Sequence, residues 1–313
     1  MQSITVMEWL KEQIKKLEST NSEFKEKIDK ISSMNPQVYN EFKEWTPLKL
    51  IFLNYTLGMY TPIISKNFNY MFYVDLFSGS GINKINKDIL IGSPFIATLK
   101  YGNKFNKLFF VDLNQEYTKA LDKRLESLSI TNKEVINENC NTAIEKILKE
   151  IEDYETKHIF FFIDPNAMEV NWETMKKVLS TKSDIIFNFM TCQIIRAWAG
   201  CVANEGCNTK KLDSFYGDQS WKKAKSFDDL LDIYKENIQK IRKNSLIEDI
   251  HINGGESFNY NLIFITNKTK NNNPWMNVIR KAKEEIEKNT KKAVKDALDI
   301  VKKRQSQLSN FLG

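Results

Sequence analysis

Short apolar runs that alternate with helical stretches constrain the fold of this chain more than any other feature. Five runs of strand length occur between residues 72 and 189, at 72–74, 108–111, 134–136, 159–163 and 184–189. Continuous apolar strands separated by helices predict a parallel sheet that is buried on both faces. The sequence therefore predicts an α/β fold, a doubly wound and mainly parallel sheet, whose ligands bind at the carboxyl ends of the strands.

The segments around these runs divide the chain into three predicted regions. Residues 1–40 hold an amphipathic helix with apolar positions at spacings of 3, 4 and 7, which either docks on the body or pairs with a protein partner. Residues 41–266 form the sheet domain, with an insertion at about 200–245 that packs on the sheet and a late strand, 258–265, expected at the sheet edge. Residues 267–313 form a Lys-rich helical tail.

The basic charge of the chain belongs to this tail. The net charge is +6, but 12 of the 46 basic and 5 of the 40 acidic residues lie in residues 267–313, which leaves −1 for residues 1–266. The tail is interpreted either as a solvated Lys-rich face or as a segment that contacts the phosphates of DNA or RNA. Its charge gives no information about a pocket elsewhere.

Composition also excludes several classes of protein. No stretch approaches 18 consecutive apolar residues, and the N-terminus lacks a cationic region followed by an apolar run, so we expect a cytoplasmic protein without membrane contact. The two histidines and the absence of a C-x-x-C pair argue against a metal site. The four cysteines are expected to be free buried thiols, with a metal cluster of Cys192, Cys201 and Cys207 as the alternative.

The strongest local motif follows the first strand, where residues 74–81 read VDLFSGSG. Glycine lets the backbone approach a ligand closely, although many such loops are only tight strand-to-helix connections. The pattern lacks the third glycine of the dinucleotide fingerprint and the Lys-Ser/Thr of a phosphate loop. The D-x-F-x-G-x-G form resembles the first motif of Rossmann-type S-adenosylmethionine-dependent methyltransferases, in which the acid is Asp75.

Two further acids follow strands. Asp112, after the second strand, is interpreted either as the ribose acceptor that the resemblance implies or as a helix N-cap. Asp164, Pro165 and Asn166, after the fourth strand, resemble the Asp-Pro-Pro-aromatic motif of base amino-methyltransferases. There the acid and the neighbouring backbone carbonyl accept from an exocyclic amine. The stacking aromatic has no clear counterpart here, since Asn166 and an alanine follow the proline.

An ordered series of segments over about residues 40–285 resembles the three-Cys-motif partner protein (TcmP) family. The matching segments are WTPLKL at 45–50, YVDLFSGSG at 73–81, IGSPFIA at 91–97, FVDLN at 110–114, NCN at 139–141, FIDP at 162–165, VNW at 170–172, DIIFNF at 184–189 and YNLIF at 260–264. This resemblance implies a methyltransferase-like Rossmann domain and a three-Cys-motif protein partner. Two positions depart from the family pattern, Asn166 after Asp-Pro and Asn139 in place of an acid.

The resulting hypothesis is an S-adenosylmethionine (SAM)-dependent methyltransferase that acts on nucleic acid, at the exocyclic amine of a base. The alternative is a non-catalytic scaffold that retains the fold and binds a partner. The predicted catalytic residues are Asp164, Pro165 and Asn166, and the predicted SAM-binding residues are Asp75, Phe77, Gly79, Gly81, Asp112, Asn139 and Cys140.

Overall fold

The computed structural model describes residues 23–41, 46–85, 88–203, 209–253, 259–270 and 273–288, together with Trp9, Glu12, Gln13, Lys16 and Ser19. The helices are α1 Lys25–Ser33, α2 Thr46–Ile64, α3 Ser93–Tyr101, α4 Gln115–Ser127, α5 Cys140–Glu150, α6 Trp172–Leu179, α7 Thr191–Val202, α8 Thr209–Tyr216, α9 Phe227–Ile241 and α10 Met276–Lys288. The strands are β1 Asn40–Glu41, β2 Tyr70–Asp75, β3 Ile82–Ile85, β4 Asp88–Ile91, β5 Lys107–Asp112, β6 Lys133–Asn137, β7 Lys157–Ile163, β8 Ser183–Phe189, β9 Ser245–Asn253 and β10 Asn259–Asn267.

A seven-stranded sheet with the order β6-β5-β2-β7-β8-β10-β9 forms the centre of the molecule. The pairs from β6 to β8 are parallel, whereas β10 is antiparallel to both β8 and β9. The chain leaves β2 towards β5 and β6 and then returns to β7 on the other side of β2. Such a reversal between neighbouring strands is the topological switch point at which open α/β sheets bind their ligands. The predicted doubly wound, mainly parallel fold is confirmed.

Both faces of the sheet are covered, because successive residues of each strand point to opposite sides. On β7, Phe160 and Phe162 contribute to one core, and Phe161 and Ile163 contribute to the other. The described part of β8 is buried along its whole length. This double burial explains why these strands are continuous apolar runs in the sequence.

The end of the sheet differs from the prediction. The late strand was expected at the edge, but β10 lies between β8 and β9, and β9 is the edge strand. β9 was not predicted because two adjacent acids, Glu248 and Asp249, interrupt its apolar residues. Ile250 and Ile252 face the core, whereas Glu248 pairs with Arg280 of α10 at 2.5 Å. Charged side chains are a common means of protecting an edge strand from further pairing.

A short segment before α2 lies against the glycine loop, and we call residues 34–41 the strap. Its last two residues form β1, which pairs in parallel with β3 of a small three-stranded sheet. Arg124 of α4 is 1% exposed and fastens the strap. Its guanidinium donates to the carbonyls of Met34 (2.8 Å), Asn35 (3.0 Å) and Val38 (2.8 Å) in the strap and of Ser80 (2.8 Å) in the loop.

The two ends of the described chain contact the body. Trp9 is buried and its ring meets Tyr55 of α2 edge-on, with the centroids 5.0 Å apart, so this residue contacts the body. Within α10, Ile279 and Ile286 are buried, as the predicted apolar stripe of the tail requires. The rest of that stripe, from Ala293 onward, lies outside the described residues.

The cysteines divide into two groups. Cys140 and Cys192 are free and buried, as predicted, whereas Cys201 is disulfide-bonded, so the prediction of a free thiol is wrong there. Cys207 lies outside the described residues. In the part of the chain that the structure describes, no group of His, Cys, Asp and Glu side chains could hold a metal ion. Within the same residues, no helix combines the length and apolar character needed to cross a bilayer.

Candidate functional site

The backbone amides of the glycine loop after β2 donate hydrogen bonds to acceptors within the protein. Four successive N–H groups donate to partners of this chain: Phe77 to Asp75 Oδ1 (3.2 Å), Ser78 to the Val111 carbonyl (2.9 Å), Gly79 to Asp112 Oδ2 (2.9 Å) and Ser80 to Asn40 Oδ1 (3.0 Å). Loops that bind phosphate do so by pointing such amides at the ligand. These four amides are therefore not available to bind phosphate. This agrees with the sequence motif, which lacks the Lys-Ser/Thr of a phosphate loop.

The space beside the loop glycines is filled by this chain. Gly79 and Gly81 have positive φ values of +59° and +76°, which L side chains rarely adopt. A Cβ on Gly79 would collide with the Asn40 side chain of the strap, and one on Gly81 would lie 2.6 Å from Phe95 and 2.8 Å from Leu121. Gly81 is thus required by core packing and Gly79 by the strap. Their predicted part in SAM binding stays a prediction.

Asp75 is a fully buried acid at the switch point. Its Oδ1 accepts from the Phe77 amide, whereas its Oδ2 is buried without a hydrogen-bond partner in the described structure. Burial raises the pKa of Asp75 to about 7, against the opposing effects of the Ser93 hydroxyl and the Phe77 amide. A buried acceptor without a donor costs about 1–3 kcal/mol. Such a site is suited to a ligand that brings a donor or a positive charge.

Asp112 links the glycine loop to α4. Its Oδ2 accepts from the Gly79 amide, and its Oδ1 accepts from the Asn114 amide at 2.8 Å. The N-cap of α4 is Asn114, not Asp112, so the helix-cap interpretation of Asp112 is wrong. Burial raises the pKa of this half-buried acid. The neighbouring Leu113 is 71% exposed and offers an apolar surface at the same strand end.

The end of β6 offers a different acceptor from the one predicted. Asn139 caps α5, and its Oδ1 already accepts from the backbone and side-chain amides of Asn141, both at 2.9 Å. Cys140 is buried, and burial raises the pKa of its thiol to about 12, which leaves it unreactive. Glu138 Oε2, by contrast, is buried without a partner, while Oε1 accepts from Lys146 at 2.8 Å. The signal that could have revealed Glu138 is an acid at a strand end.

Asp164 is bound by two side chains that the sequence did not connect with it. Lys49 Nζ of α2 lies 2.7 Å from both carboxylate oxygens, and Asn188 Nδ2 of β8 donates to Oδ1 at 2.6 Å. Asn188 Oδ1 is buried and has no partner among the described residues. Pro165 is buried and Asn166 is exposed. Lys49 was noticed only as part of the WTPLKL segment, without a role.

These side chains meet at one edge of the sheet. Asp75, Asp112, Asp164 and Asn188 come from the carboxyl ends of β2, β5, β7 and β8, and Glu138 follows β6. Because β2 and β7 are neighbours, Asp75 and Asp164 flank the switch point. Three buried acceptors there have no partner among the described residues, Asp75 Oδ2, Glu138 Oε2 and Asn188 Oδ1, against one unpartnered hydroxyl, that of Tyr73, so the arrangement favours a ligand rich in N–H or O–H donors.

A cavity of about 450 Å³ opens elsewhere, at the amino end of β7 between α5 and α6. Leu148, Lys157, Glu173 and Thr181 are among its lining residues, and none of the predicted site residues contributes. It belongs to the opposite edge of the sheet from the glycine loop. We do not assign it to the cofactor.

No protein-family model matches the chain, and no curated protein matches it. Among solved structures it is similar to an rRNA methylase from Streptococcus thermophilus, with 11% identity, a TM-score of 0.36, and coverage of 67% of this chain and 94% of that one. It is also similar to Trm1 from Pyrococcus horikoshii, solved with SAM, with 8% identity, a TM-score of 0.41, and coverage of 71% and 56%. Such weak likeness transfers neither cofactor nor substrate to this chain.

Proposed function

We propose that this protein is a SAM-dependent methyltransferase that acts on nucleic acid, at an exocyclic base amine. The observation that carries the proposal is Asp75, a fully buried carboxylate with an unpartnered oxygen at the switch point of the sheet. SAM is a cation without phosphate groups. It therefore suits a site that has a buried acid beside a loop whose amides at 77–80 are already occupied.

The remaining strand-end residues fit the other parts of this cofactor. Asp112 keeps free lone pairs for ribose hydroxyls, since each of its oxygens accepts only one backbone amide among the bonds described. Leu113 and Glu138 Oε2 offer an apolar surface and an acceptor for the adenine ring. When bound, SAM supplies an activated methyl group that a nitrogen lone pair can attack. Asp164, Pro165 and Asn166 would orient that nitrogen, and positioning of this kind supplies much of the rate.

Calorimetric titration tests the cofactor directly. We expect SAM and S-adenosylhomocysteine (SAH) to bind. ATP should give no heat, because the loop amides that would bind its phosphates already donate to acceptors within the protein. Asp112→Ala should weaken SAM binding by roughly tenfold to 100-fold, since a lost hydrogen bond to a charged group is worth about 1.5–3 kcal/mol. Asp184→Asn, at the amino end of β8, is the matched control and should leave the affinity unchanged. ATP binding without SAM binding would contradict the proposal.

One observation favours a non-catalytic scaffold as the second candidate. Lys49 and Asn188 already occupy Asp164, the acid proposed to bind the methyl acceptor. A scaffold would keep this ion pair as a structural feature and bind a protein partner, as the resemblance to the three-Cys-motif partner family implies. Absence of SAM heat in the wild-type titration, with an intact fold by circular dichroism, would favour the scaffold.

Nucleic-acid binding through the tail forms a separate part of the proposal. In α10, Arg280 pairs with Glu248, and Lys283 lies 3.9 Å from Asp249 and 3.8 Å from Glu287, so much of this helix is neutralised. Residues 289–313 hold six further basic residues against two acids and lie outside the described part of the chain. We propose that this segment contacts phosphates without reading base edges.

Salt dependence measures this contact. For a 20-nucleotide single strand we expect the logarithm of the association constant to fall with the logarithm of salt, with a slope of about −3, as for roughly four phosphate contacts at about 0.7 each. The triple variant Lys291→Gln, Lys292→Gln, Lys295→Gln should flatten this slope. Lys119→Gln with Lys123→Gln, on the exposed side of α4, is the control. An affinity independent of salt would contradict tail binding.

A further inference from the structure

The ion pair between Lys49 and Asp164 leaves one lone pair of the carboxylate free to accept a hydrogen bond. Asp164 Oδ1 accepts from both Lys49 Nζ and Asn188 Nδ2, whereas Oδ2 accepts from Lys49 Nζ alone. A carboxylate oxygen has two lone pairs, so one direction on Oδ2 remains for a ligand. Lys49 is itself held in place, because it is 9% exposed and its Nζ lies 5.8 Å from the centroid of the Tyr260 ring.

A second acceptor lies on the residue that binds Asp164. Asn188 is 1% exposed, and its Nδ2 donates to Asp164 Oδ1 and to Met190 Sδ, while its Oδ1 has no partner in the described structure. An unpaired buried amide oxygen destabilises the folded protein unless something donates to it. Asp164 Oδ2 and Asn188 Oδ1 therefore supply two acceptors from linked side chains at the ends of neighbouring strands.

The negative charge at this pair of acceptors, that of the Asp164 carboxylate, is neutralised. Lys49 neutralises Asp164, so a protonated amine placed against Oδ2 would meet a second cation within a few ångströms. Such repulsion is stronger near a protein surface than in water, because the effective dielectric constant is lower there. A neutral amine meets no such repulsion and keeps the lone pair that methyl transfer consumes.

We propose that Asp164 and Asn188 bind the two N–H bonds of a neutral amine, as on adenine, cytosine or guanine, and that Lys49 positions Asp164 and excludes protonated amines. The inference rests on the proposed function and refines it, because Asn188 takes the role given above to the Pro165 carbonyl. In the step it serves, the nitrogen forms a bond to the methyl carbon, the carbon–sulfur bond breaks and leaves a thioether, and one N–H proton passes to water.

Binding of short oligonucleotides tests this subsite, with and without SAH and without turnover. The probes are a thymidine 12-mer of DNA and a uridine 12-mer of RNA, each with one central adenine, cytosine or guanine, and the two homopolymers. Thymine and uracil have no exocyclic amine, so the homopolymer reports backbone contacts alone. We expect at least one amine-bearing base to bind about tenfold more tightly than its homopolymer, the effect of roughly one net hydrogen bond to a charged group.

Variants assign this preference to the named side chains. Asn188→Ala and Lys49→Met should reduce the ratio of amine-bearing to homopolymer affinity to about one, while Lys49→Arg keeps most of it. Asn237→Ala is the matched control, because Asn237 is a buried amide that donates to the Tyr216 carbonyl on another part of the fold. Because Lys49→Met leaves Asp164 unpaired, Lys49→Met with Asp164→Asn is measured as well, to separate loss of preference from loss of fold.

Three results would overturn the inference: equal affinity for all probes in both backgrounds, an unchanged preference in Asn188→Ala, or labelled methyl transfer to poly-L-lysine. The proposed function is contradicted by a separate result, the absence of heat when the wild-type protein is titrated with SAM. A base preference without SAM binding would therefore support the amine subsite and contradict the methyltransferase. SAM binding without a base preference would support the methyltransferase and contradict the amine subsite.

Discussion

Replacing Asp75 with asparagine is expected to weaken SAM binding by about 100-fold or more and to stabilise the folded protein at pH 8. The loss follows because removing one member of a buried charge pair typically costs about 2–5 kcal/mol of binding. The gain in stability follows from burial, which raises the pKa of Asp75 to about 7. At pH 8 the folded wild-type protein must hold an ionised carboxylate without a partner on Oδ2.

The sign of the pH dependence is fixed by this raised pKa. Because folded Asp75 binds its proton more tightly than the unfolded chain does, its contribution to stability is complete below about pH 4 and is lost as the pH rises through 7. Affinity for the cationic cofactor should change in the opposite direction and rise with pH through 7. Asp75→Asn should reduce the pH dependence of stability and abolish that of SAM affinity, as measured by urea unfolding and calorimetry between pH 5 and 8.

Asp184 provides the control, since burial also raises its pKa to about 7. Asp184 lies at the amino end of β8 and accepts from Thr266 Oγ1 at 2.7 Å, away from the glycine loop. Asp184→Asn should flatten the pH dependence of stability but leave SAM affinity unchanged. An Asp75→Asn protein that binds SAM within about threefold of wild type would contradict the assignment of Asp75 to the cofactor.

Replacing Arg124 with methionine is expected to cost about 3 kcal/mol or more of unfolding free energy, because each buried acceptor left without a donor costs about 1–3 kcal/mol. Arg124 joins the strap to the glycine loop through the carbonyls of Met34 and Ser80. Its loss leaves buried carbonyls without donors and frees the strap from the loop. We therefore also expect weaker SAM binding and faster proteolysis within residues 34–41.

Arg242 is the matched control for this experiment. It is a buried arginine that donates to the carbonyls of Leu179 and Ser183 at the opposite edge of the sheet. Arg242→Met should destabilise the protein to a similar extent in urea without changing SAM affinity or cleavage of the strap. Equal effects of the two variants on SAM affinity would show that the strap has no part in the cofactor site.

The predicted and observed strands differ where burial differs. β7 and β8 were predicted correctly because both of their faces are buried, so each contains a continuous apolar run, at 159–163 and at 185–187. β9 was missed because it is an edge strand whose charged residues are neutralised by other elements, such as Lys235 of α9 at 3.0 Å from Asp249. β10 was placed at the edge because its sequence cannot show which strand lies beyond it.

The candidate site shows the same division. Asp75, Asp112 and Asp164 could be found because an acid directly after an apolar run is a local pattern. The partners of these acids could not be found, because Lys49 is 115 residues from Asp164 in sequence and Asn40 is 40 residues from Ser80. Asn139 was chosen by analogy, whereas the unpartnered oxygen belongs to its neighbour Glu138.

By itself, the sequence determined the fold class and placed the candidate acids at one edge of the sheet, because the hydrophobic period and the acids at strand ends are local patterns within short stretches of chain. Only the tertiary structure decided which of those acids is free to act. Asp164 is neutralised by Lys49, Asp112 holds two backbone amides, and Asp75 alone combines complete burial with an unpartnered carboxylate oxygen. Hydrogen-bond partners depend on how distant elements pack, and that packing is a property of the whole fold.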